Sequence, residues 1–347
     1  MNFKSHLINI ETLQKFDSQN MHKVYDVWPE IAQEHYNKNL NEIDIDNISH
    51  VIFAGMGGSG AMNDIFSAIL SKTNIHVDVV KGYLLPKTVN SETLVVTTSV
   101  SGNTEETLSI LNAASKLGCK TIAFSDNGKM ERICIEKKIE HRKISTIHSP
   151  RASFPAFLFS MIKVLKPLLP IEKNEIIDSL QKLQKQRKQI SSNNLTNENP
   201  AISLAEWITD IPLIYYPWGL QAAAVRFKNS LQENSKMHAI TEDVIEACHN
   251  GVVSWDMSSN IKPILIQGND DYIKTKERWK VLKEFFDLKN IQYKEIYSQK
   301  GGIFSKLINL IYLLDYSTIY RSIISEIDPT PVKPIEFIKN KLDDQTS

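Results

Sequence analysis

The chain contains a strand–turn–helix pattern that recurs in both halves, and this pattern limits the folds it can adopt. The first copy is "VIFAGMGGSGAMNDIF", where an apolar run from Val51 leads into a glycine turn and then into a segment of helical periodicity. Further strand-like runs are "IHVDVV", "LVVTTS" and "KTIAFS", with a second helical segment among them. Strands that alternate with helices form parallel sheets covered by helices. We therefore predict an α/β fold with a doubly wound parallel sheet.

The second half repeats this order. The segment "IPLIYYPWGLQAAAVRFKNSLQEN" predicts a strand, a turn at Gly219 and a helix, and "KPILIQ" and "YKEIYS" predict further strands. A length of 347 residues fits two domains, since one domain usually has roughly 100–200 residues. We predict an N-terminal helical segment over 1–50, a first domain over 51–170, a helical connection over 171–200 and a second domain with a C-terminal helix over 201–347.

Charge and composition argue against several classes of partner. The chain has 40 Lys and Arg against 40 Asp and Glu, so no basic excess favours nucleic acid. No segment reaches the roughly 18 apolar residues of a membrane span, and the first residues lack the apolar core of a signal peptide. Three scattered cysteines without a C-x-x-C pair favour a reducing compartment. We expect a cytoplasmic protein that binds a small molecule, with neither nucleic acid nor membrane as a partner.

The glycine turn fits two kinds of ligand. Gly55, Gly57 and Gly60 match the G-x-G-x-x-G pattern of dinucleotide-binding proteins. A dinucleotide site also needs an acidic residue at the end of the second strand to bind the ribose. The candidate, Asp78, lies inside "IHVDVVKG" rather than at its end. A smaller phosphate is therefore the preferred ligand, and the dinucleotide stays an alternative.

Hydroxyl groups crowd two turns that follow the first and third predicted strands. The carboxyl ends of parallel strands meet at one edge of a sheet, where ligands bind. Hydroxyls and backbone N–H groups there can surround a phosphate, assisted by the helix dipole. The alternative is helix capping, because Asn103 followed by Glu106 resembles a capping box. The predicted phosphate site consists of Gly57, Gly58, Ser59, Ser99, Ser101 and Thr104.

These motifs resemble a known family. "GMGGSG" together with "SVSGNTEET" resembles the sugar isomerase (SIS) domain, which holds phosphosugars. "RFKNSLQENSK" resembles the R-x-K-x-x-x-x-E-N-x-K segment of the bifunctional phosphoglucose/phosphomannose isomerases, and "EACHNG" resembles their E-x-x-H-N segment. The segment from Leu307 to Leu342 is similar to their C-terminal segment. The resemblance implies two SIS-type domains, each a parallel sheet flanked by helices, and an isomerase that interconverts glucose 6-phosphate and mannose 6-phosphate with fructose 6-phosphate.

The resemblance also implies the catalytic residues. An aldose–ketose conversion moves one proton between C1 and C2 through an enediol, which a single carboxylate can accomplish. Glu233 matches the family's base. His249 matches its ring-opening histidine, which reaches the site from the neighbouring subunit of a homodimer. Arg151 matches a residue that stabilises enediolate charge. Lys339 matches a lysine that binds a sugar hydroxyl or the developing enediolate oxygen, with Lys341 as the alternative to Lys339.

The resemblance also implies a residue that decides substrate specificity. Thr330 matches the threonine to which the family's dual specificity is attributed, and its alternative role is that of a turn residue between two prolines.

We expect no cofactor and no metal, because H-E-x-x-H and paired Cys/His spacings do not occur in the sequence. One rival is a non-catalytic phosphosugar sensor, which would not need Glu233 and His249 together. The other is an NAD-dependent oxidoreductase, which rests on the glycine pattern alone.

Overall fold

The computed structural model describes residues 8–346, and the side chains of residues 8–342. Residues 1–7 and 347, which belong to the first and last predicted segments, lie outside the described residues. Three helices precede the first sheet: α1 (Ile10–Phe16), α2 (Met21–Asp26) and α3 (Trp28–Asn37). Asn9 begins α1 through a capping box with Thr12. Trp28 is fully buried and stacks on Phe154, so these helices pack against the core of the chain.

The first sheet has five parallel strands in the order β2-β1-β3-β4-β5. The central strands β1 and β3 are buried along their whole length, as expected of parallel strands covered on both faces. The elements of this part are β1 (His50–Ala54), α4 (Gly57–Leu70), β2 (His76–Val80), β3 (Thr93–Thr98), α5 (Glu105–Ala114), β4 (Lys120–Ser125), α6 (Lys129–Lys137), β5 (Glu140–Lys143) and α7 (Phe154–Val164).

The second sheet has four parallel strands in the order β7-β6-β8-β9. Its elements are α8 (Lys173–Ile190), α9 (Pro200–Trp207), β6 (Ile211–Tyr216), α10 (Gln221–Asn234), β7 (Ile240–Asp243), α11 (Val244–Ala247), β8 (Ile261–Gln267), α12 (Ile273–Leu288), β9 (Lys294–Tyr297), α13 (Ile303–Ile324) and α14 (Lys333–Thr346). The predicted α/β class with two parallel sheets flanked by helices is therefore confirmed.

A long buried helix, α13, joins the two halves. It packs against α8, α9 and α10, and one main hydrophobic core contains residues from both sheets. Within the predicted connection, α8 buries Ile176, Leu180 and Leu183 at helical spacing, so this helix is part of the packed structure. The domain boundaries themselves stay a prediction. Within residues 8–346, no helix is both long enough and apolar enough to cross a lipid bilayer.

Candidate active site

A cleft of about 790 Å³ lies between the glycine turn that opens α4, the end of α10 and the segment that leads into α14. Gly57 lines it from the first sheet, and Glu233 and Lys236 line it from the second half. Pro331 and Lys333 close the third side. The cleft therefore brings together the predicted phosphate turn and the predicted catalytic base.

The glycine turn has a conformation that only small residues tolerate. Gly57 has a φ of +53°, in the left-handed region that favours glycine. A Cβ on Gly55 would lie 2.8 Å from the carbonyl oxygen of Thr98, so this position also needs glycine. The close approach follows from the pairing of β1 with β3. It places the turn that carries Ser59 beside the turn that carries Ser99.

The hydroxyls of the second turn are partly prearranged for an anion. Ser99 is buried, and its Oγ lies 2.8 Å from Oγ1 of Thr104. Only one proton serves this hydrogen bond, so the second hydroxyl proton can be donated to a ligand. Ser101 is exposed, and its Oγ accepts a hydrogen bond from the backbone N–H of Asn103. Ser59 is buried in the first turn of α4.

The capping interpretation of the second turn is wrong for Asn103. The N-cap of α5 is Thr104, whose side chain makes no capping hydrogen bond. Asn103 instead accepts a hydrogen bond from the backbone N–H of Lys129 and donates one to the carbonyl oxygen of Ser101. Its amide therefore braces the turn against the start of α6.

Arg151 links α10 to the segment before α14, next to the candidate base. It is buried, and its Nε donates to the side-chain oxygen of Asn234 at 2.6 Å. Its Nη2 donates to the carbonyl oxygens of Pro329 and Thr330 at 2.6 and 2.8 Å. Its Nη1 lies 3.5 Å from Oε2 of Glu233, whose side chain is 26 % exposed. The guanidinium thus places positive charge beside a carboxylate that solvent and ligands can reach.

A second buried arginine fixes α10 itself. Nε of Arg226 donates to Asp315 of α13 at 2.8 Å, and Ser230 donates to the same carboxylate at 2.8 Å. The Arg226 guanidinium also lies 3.7 Å from the ring centre of Phe154 and donates to the carbonyl oxygen of Arg151. Sequence analysis assigned no role to Arg226, although it belongs to the same motif as Glu233.

Lys236 is a second residue whose role the sequence analysis missed. Its Nζ donates to the carbonyl oxygens of Glu233, at 2.5 Å, and Pro329, at 3.1 Å. Partial burial, together with the charge of Arg151, lowers the pKa of Lys236 to about 8. The cleft therefore contains a cation whose charge changes just above neutral pH.

Of the remaining predicted residues, two lie beside Arg151 and two do not line the cleft. The carbonyl of Thr330 binds Arg151, and its buried hydroxyl has no hydrogen-bond partner within the described residues. A Cβ on Gly58 would be 3.8 Å from Cα of Arg151, so Gly58 lies beside the arginine. Lys339 is exposed on α14, and His249 is exposed after α11. Neither residue is among those that line the cleft within one chain.

The fold is one shared by proteins of phosphosugar metabolism. The C-terminal domain of glucosamine-fructose-6-phosphate aminotransferase from Francisella tularensis is similar to this chain with a TM-score of 0.65 at 16 % identity. The similarity covers 90 % of this chain and 98 % of that one. Residues 197–342 match the family described as the bacterial phospho-glucose isomerase C-terminal SIS domain. Fold and match together place the chain in the class of SIS-fold proteins.

Sequence relatives narrow this class. The bifunctional phosphoglucose/phosphomannose isomerase of Caldicellulosiruptor bescii is 30 % identical over 90 % of this chain and 96 % of its own length. The protein of the same name from Aquifex aeolicus is 28 % identical over 86 % of this chain and 92 % of its own length. The chain belongs to the bifunctional phosphoglucose/phosphomannose isomerase family, and the prediction of this family and of an isomerase is confirmed.

Proposed function

We propose that this isomerase interconverts glucose 6-phosphate and mannose 6-phosphate with fructose 6-phosphate. The observation that carries the proposal is the position of Glu233, a solvent-accessible carboxylate 3.5 Å from the Arg151 guanidinium in a cleft that Gly57 also lines. The names of the relatives support the choice of substrates. A non-catalytic sensor would bind the same phosphosugars without turnover.

Glu233 acts as the base in this proposal. Its carboxylate takes the proton from C2 of the aldose phosphate and returns it to C1, or the reverse, through an enediol. The negative charge that develops on the substrate oxygens is stabilised by Arg151, whose guanidinium is already held in place by three hydrogen bonds. Both epimers lose their difference at C2 in the same enediol, so one base serves both.

The phosphate lies in the two turns at the carboxyl edge of the first sheet. The backbone of Gly57, Gly58 and Ser59 at the start of α4 supplies N–H donors and the positive end of the helix dipole. Ser99, Ser101 and Thr104 supply hydroxyl donors from the neighbouring turn. A 6-phosphate in these turns leaves the sugar carbons to extend along the cleft toward Glu233.

A homodimer completes the site in this proposal. His249 is exposed on the second half, away from the cleft of its own chain, which suits a residue that enters the site of a neighbouring subunit. There it opens the sugar ring by proton transfer with the ring oxygen. Lys339, on the helix whose first residues line the cleft, contacts a sugar hydroxyl. The scattered cysteines support a cytoplasmic location.

The test is a coupled assay of the purified protein with each hexose 6-phosphate, comparing wild type with Glu233→Gln. The variant keeps the shape of the side chain and removes the proton acceptor, so turnover should fall by about 10²- to 10⁴-fold. Binding of a phosphorylated sugar analogue should remain. The control is Glu284→Gln, an exposed glutamate of α12, which should leave turnover unchanged. Near-normal turnover of Glu233→Gln would exclude Glu233 as the base. A wild type that binds both sugars without turnover would favour the sensor.

A further inference from the structure

Two histidines and an aspartate form a cluster far from the cleft, at the opposite end of the first sheet. His50 is the first residue of β1 and His76 the first residue of β2, and the parallel register pairs them directly. Asp78 lies two residues after His76, so its side chain is on the same face of the sheet. The cluster therefore spans the central strand β1 and the edge strand β2. Sequence analysis expected no metal because the chain lacks a metal-binding motif, and it missed this cluster because the residues meet only through strand pairing.

The distances within the cluster suit a four-coordinate metal ion. Nε2 of His50 lies 3.0 Å from Oδ2 of Asp78, and Nε2 of His76 lies 3.6 Å from the same oxygen. The three ligand atoms all lie within 4.8 Å of one another. Metal–ligand bonds of about 2.0–2.1 Å in a tetrahedral site separate neighbouring ligand atoms by about 3.3 Å. The two separations to Asp78 bracket this value, and the exposed ring of His76 can adjust by rotation.

A contact with Thr93 on β3 orients the His50 ring. Nδ1 of His50 lies 3.3 Å from Oγ1 of Thr93 on β3. The Thr93 hydroxyl accepts from the Asn90 N–H and also lies 3.3 Å from the side-chain oxygen of Asn90. When Thr93 donates to Asn90, Nδ1–H of His50 can donate to Thr93. In that tautomer the lone pair of Nε2 faces the Asp78 carboxylate, an arrangement that is favourable when a cation lies between the two.

We propose that His50, His76 and Asp78 bind one divalent transition metal ion, with Zn²⁺ as the first candidate. Two imidazoles and one carboxylate suit Zn²⁺ rather than Mg²⁺ or Ca²⁺, which prefer all-oxygen sites. Water or another exogenous ligand fills the fourth position on the solvent side, where His76 is exposed. The ion joins the edge strand β2 to β1 and stabilises the folded chain. Because it lies at the amino ends of the strands, it takes no part in the isomerase reaction.

The test uses Zn²⁺ and Co²⁺ as probes on the full-length protein after dialysis against a chelator. Titration calorimetry should give one Zn²⁺ ion per chain, and bound Co²⁺ should show the visible absorption of a tetrahedral site. His76→Ala and Asp78→Asn should each weaken binding by more than about 100-fold, since loss of a residue that only positions a metal ligand already costs about 10- to 100-fold. Thr93→Val should fall within that smaller range. Zn²⁺ should raise the thermal unfolding midpoint of the wild type but not of the two ligand variants.

The matched control is His141→Ala, which removes a half-buried histidine from β5 at the other edge of the same sheet. This variant should bind Zn²⁺ as the wild type does. Isomerase turnover with fructose 6-phosphate checks that every variant is folded, and it should not change when Zn²⁺ is added. The proposal is overturned if the wild type takes up no ion, or if His76→Ala and Asp78→Asn bind Zn²⁺ as tightly as the wild type.

Discussion

The substitution Arg151→Lys tests whether the cleft depends on the shape of the guanidinium or only on its charge. Arg151 makes three hydrogen bonds with one rigid fork, to Asn234 on α10 and to the carbonyls of Pro329 and Thr330. A lysine keeps the positive charge, but its single ammonium on a flexible chain cannot reproduce this geometry. At least one of the three hydrogen bonds should be lost.

The expected magnitude follows from that loss. A hydrogen bond that involves a charged group contributes about 1.5–3 kcal/mol. If the loss falls on the transition state, kcat/KM decreases by about 10- to 150-fold. Most of the decrease should appear in kcat, because Arg151 lies beside Glu233 rather than in the turns proposed for the phosphate.

The assay is the coupled measurement of kcat and KM with fructose 6-phosphate, together with urea unfolding of each variant. The matched control is Arg142→Lys on β5, where the arginine also binds carbonyl oxygens and a carboxylate but lies outside the residues that line the cleft. Control kinetics should match the wild type. A folded Arg151→Lys variant with wild-type kcat would refute the role of the guanidinium fork. A loss of stability at unchanged kcat would make Arg151 a structural residue only.

Three further predictions concern other parts of the site. Because the pKa of Lys236 is lowered to about 8, its charge is present below pH 8 and is lost as the pH rises through that value; KM for the phosphosugars should then rise by about tenfold. Lys236→Arg, which stays charged, should remove this rise, and an unchanged pH profile of KM would exclude Lys236 as its cause. Thr330→Gln should reduce turnover of mannose 6-phosphate about tenfold more than that of glucose 6-phosphate; equal losses would exclude Thr330 as the selector. If subunits share the site, re-equilibrated mixtures of Glu233→Gln and His249→Ala should regain activity, and continued inactivity despite measured subunit exchange would contradict a shared site.

The sequence predicted the buried strands and the edge strands β2 and β9, but it did not predict the edge strands β5 and β7. The strands β1 and β3 are apolar runs that a parallel sheet must cover. By contrast, β5 has the sequence "EHRK" and β7 "ITED", and both lie at an edge of their sheet. Edge strands need no continuous apolar run, since solvent reaches one side of them. Whether β5 and β7 form strands therefore depends on their hydrogen bonds to β4 and β6, which their own sequences do not indicate.

The candidate site was also predictable only in part from the sequence. The rule that ligands bind at the carboxyl ends of parallel strands led to the turns that contain Ser59 and Ser99, which lie side by side in the structure. Their binding of phosphate stays a prediction. The lowered pKa of Lys236 is caused by its burial and by the charge of Arg151, which is far from it in sequence. One signal for the buried network was available: Asp315 is an acidic residue within the apolar run of α13. A charge in such a run is rarely buried without a partner.

The hydrogen bonds around Asp315 explain how α10 holds the Glu233 carboxylate in a fixed direction. Arg226, Ser230 and Asn234 are spaced four residues apart, so they share one face of the helix. All three are buried, and all three donate hydrogen bonds to α13. Apolar faces can slide past each other with modest loss, whereas these donors are all satisfied in only one rotation and one register of the helix. Glu233 immediately precedes Asn234, and successive helical residues differ by about 100° in direction. Fixing the buried face therefore fixes the direction in which the Glu233 side chain enters the cleft.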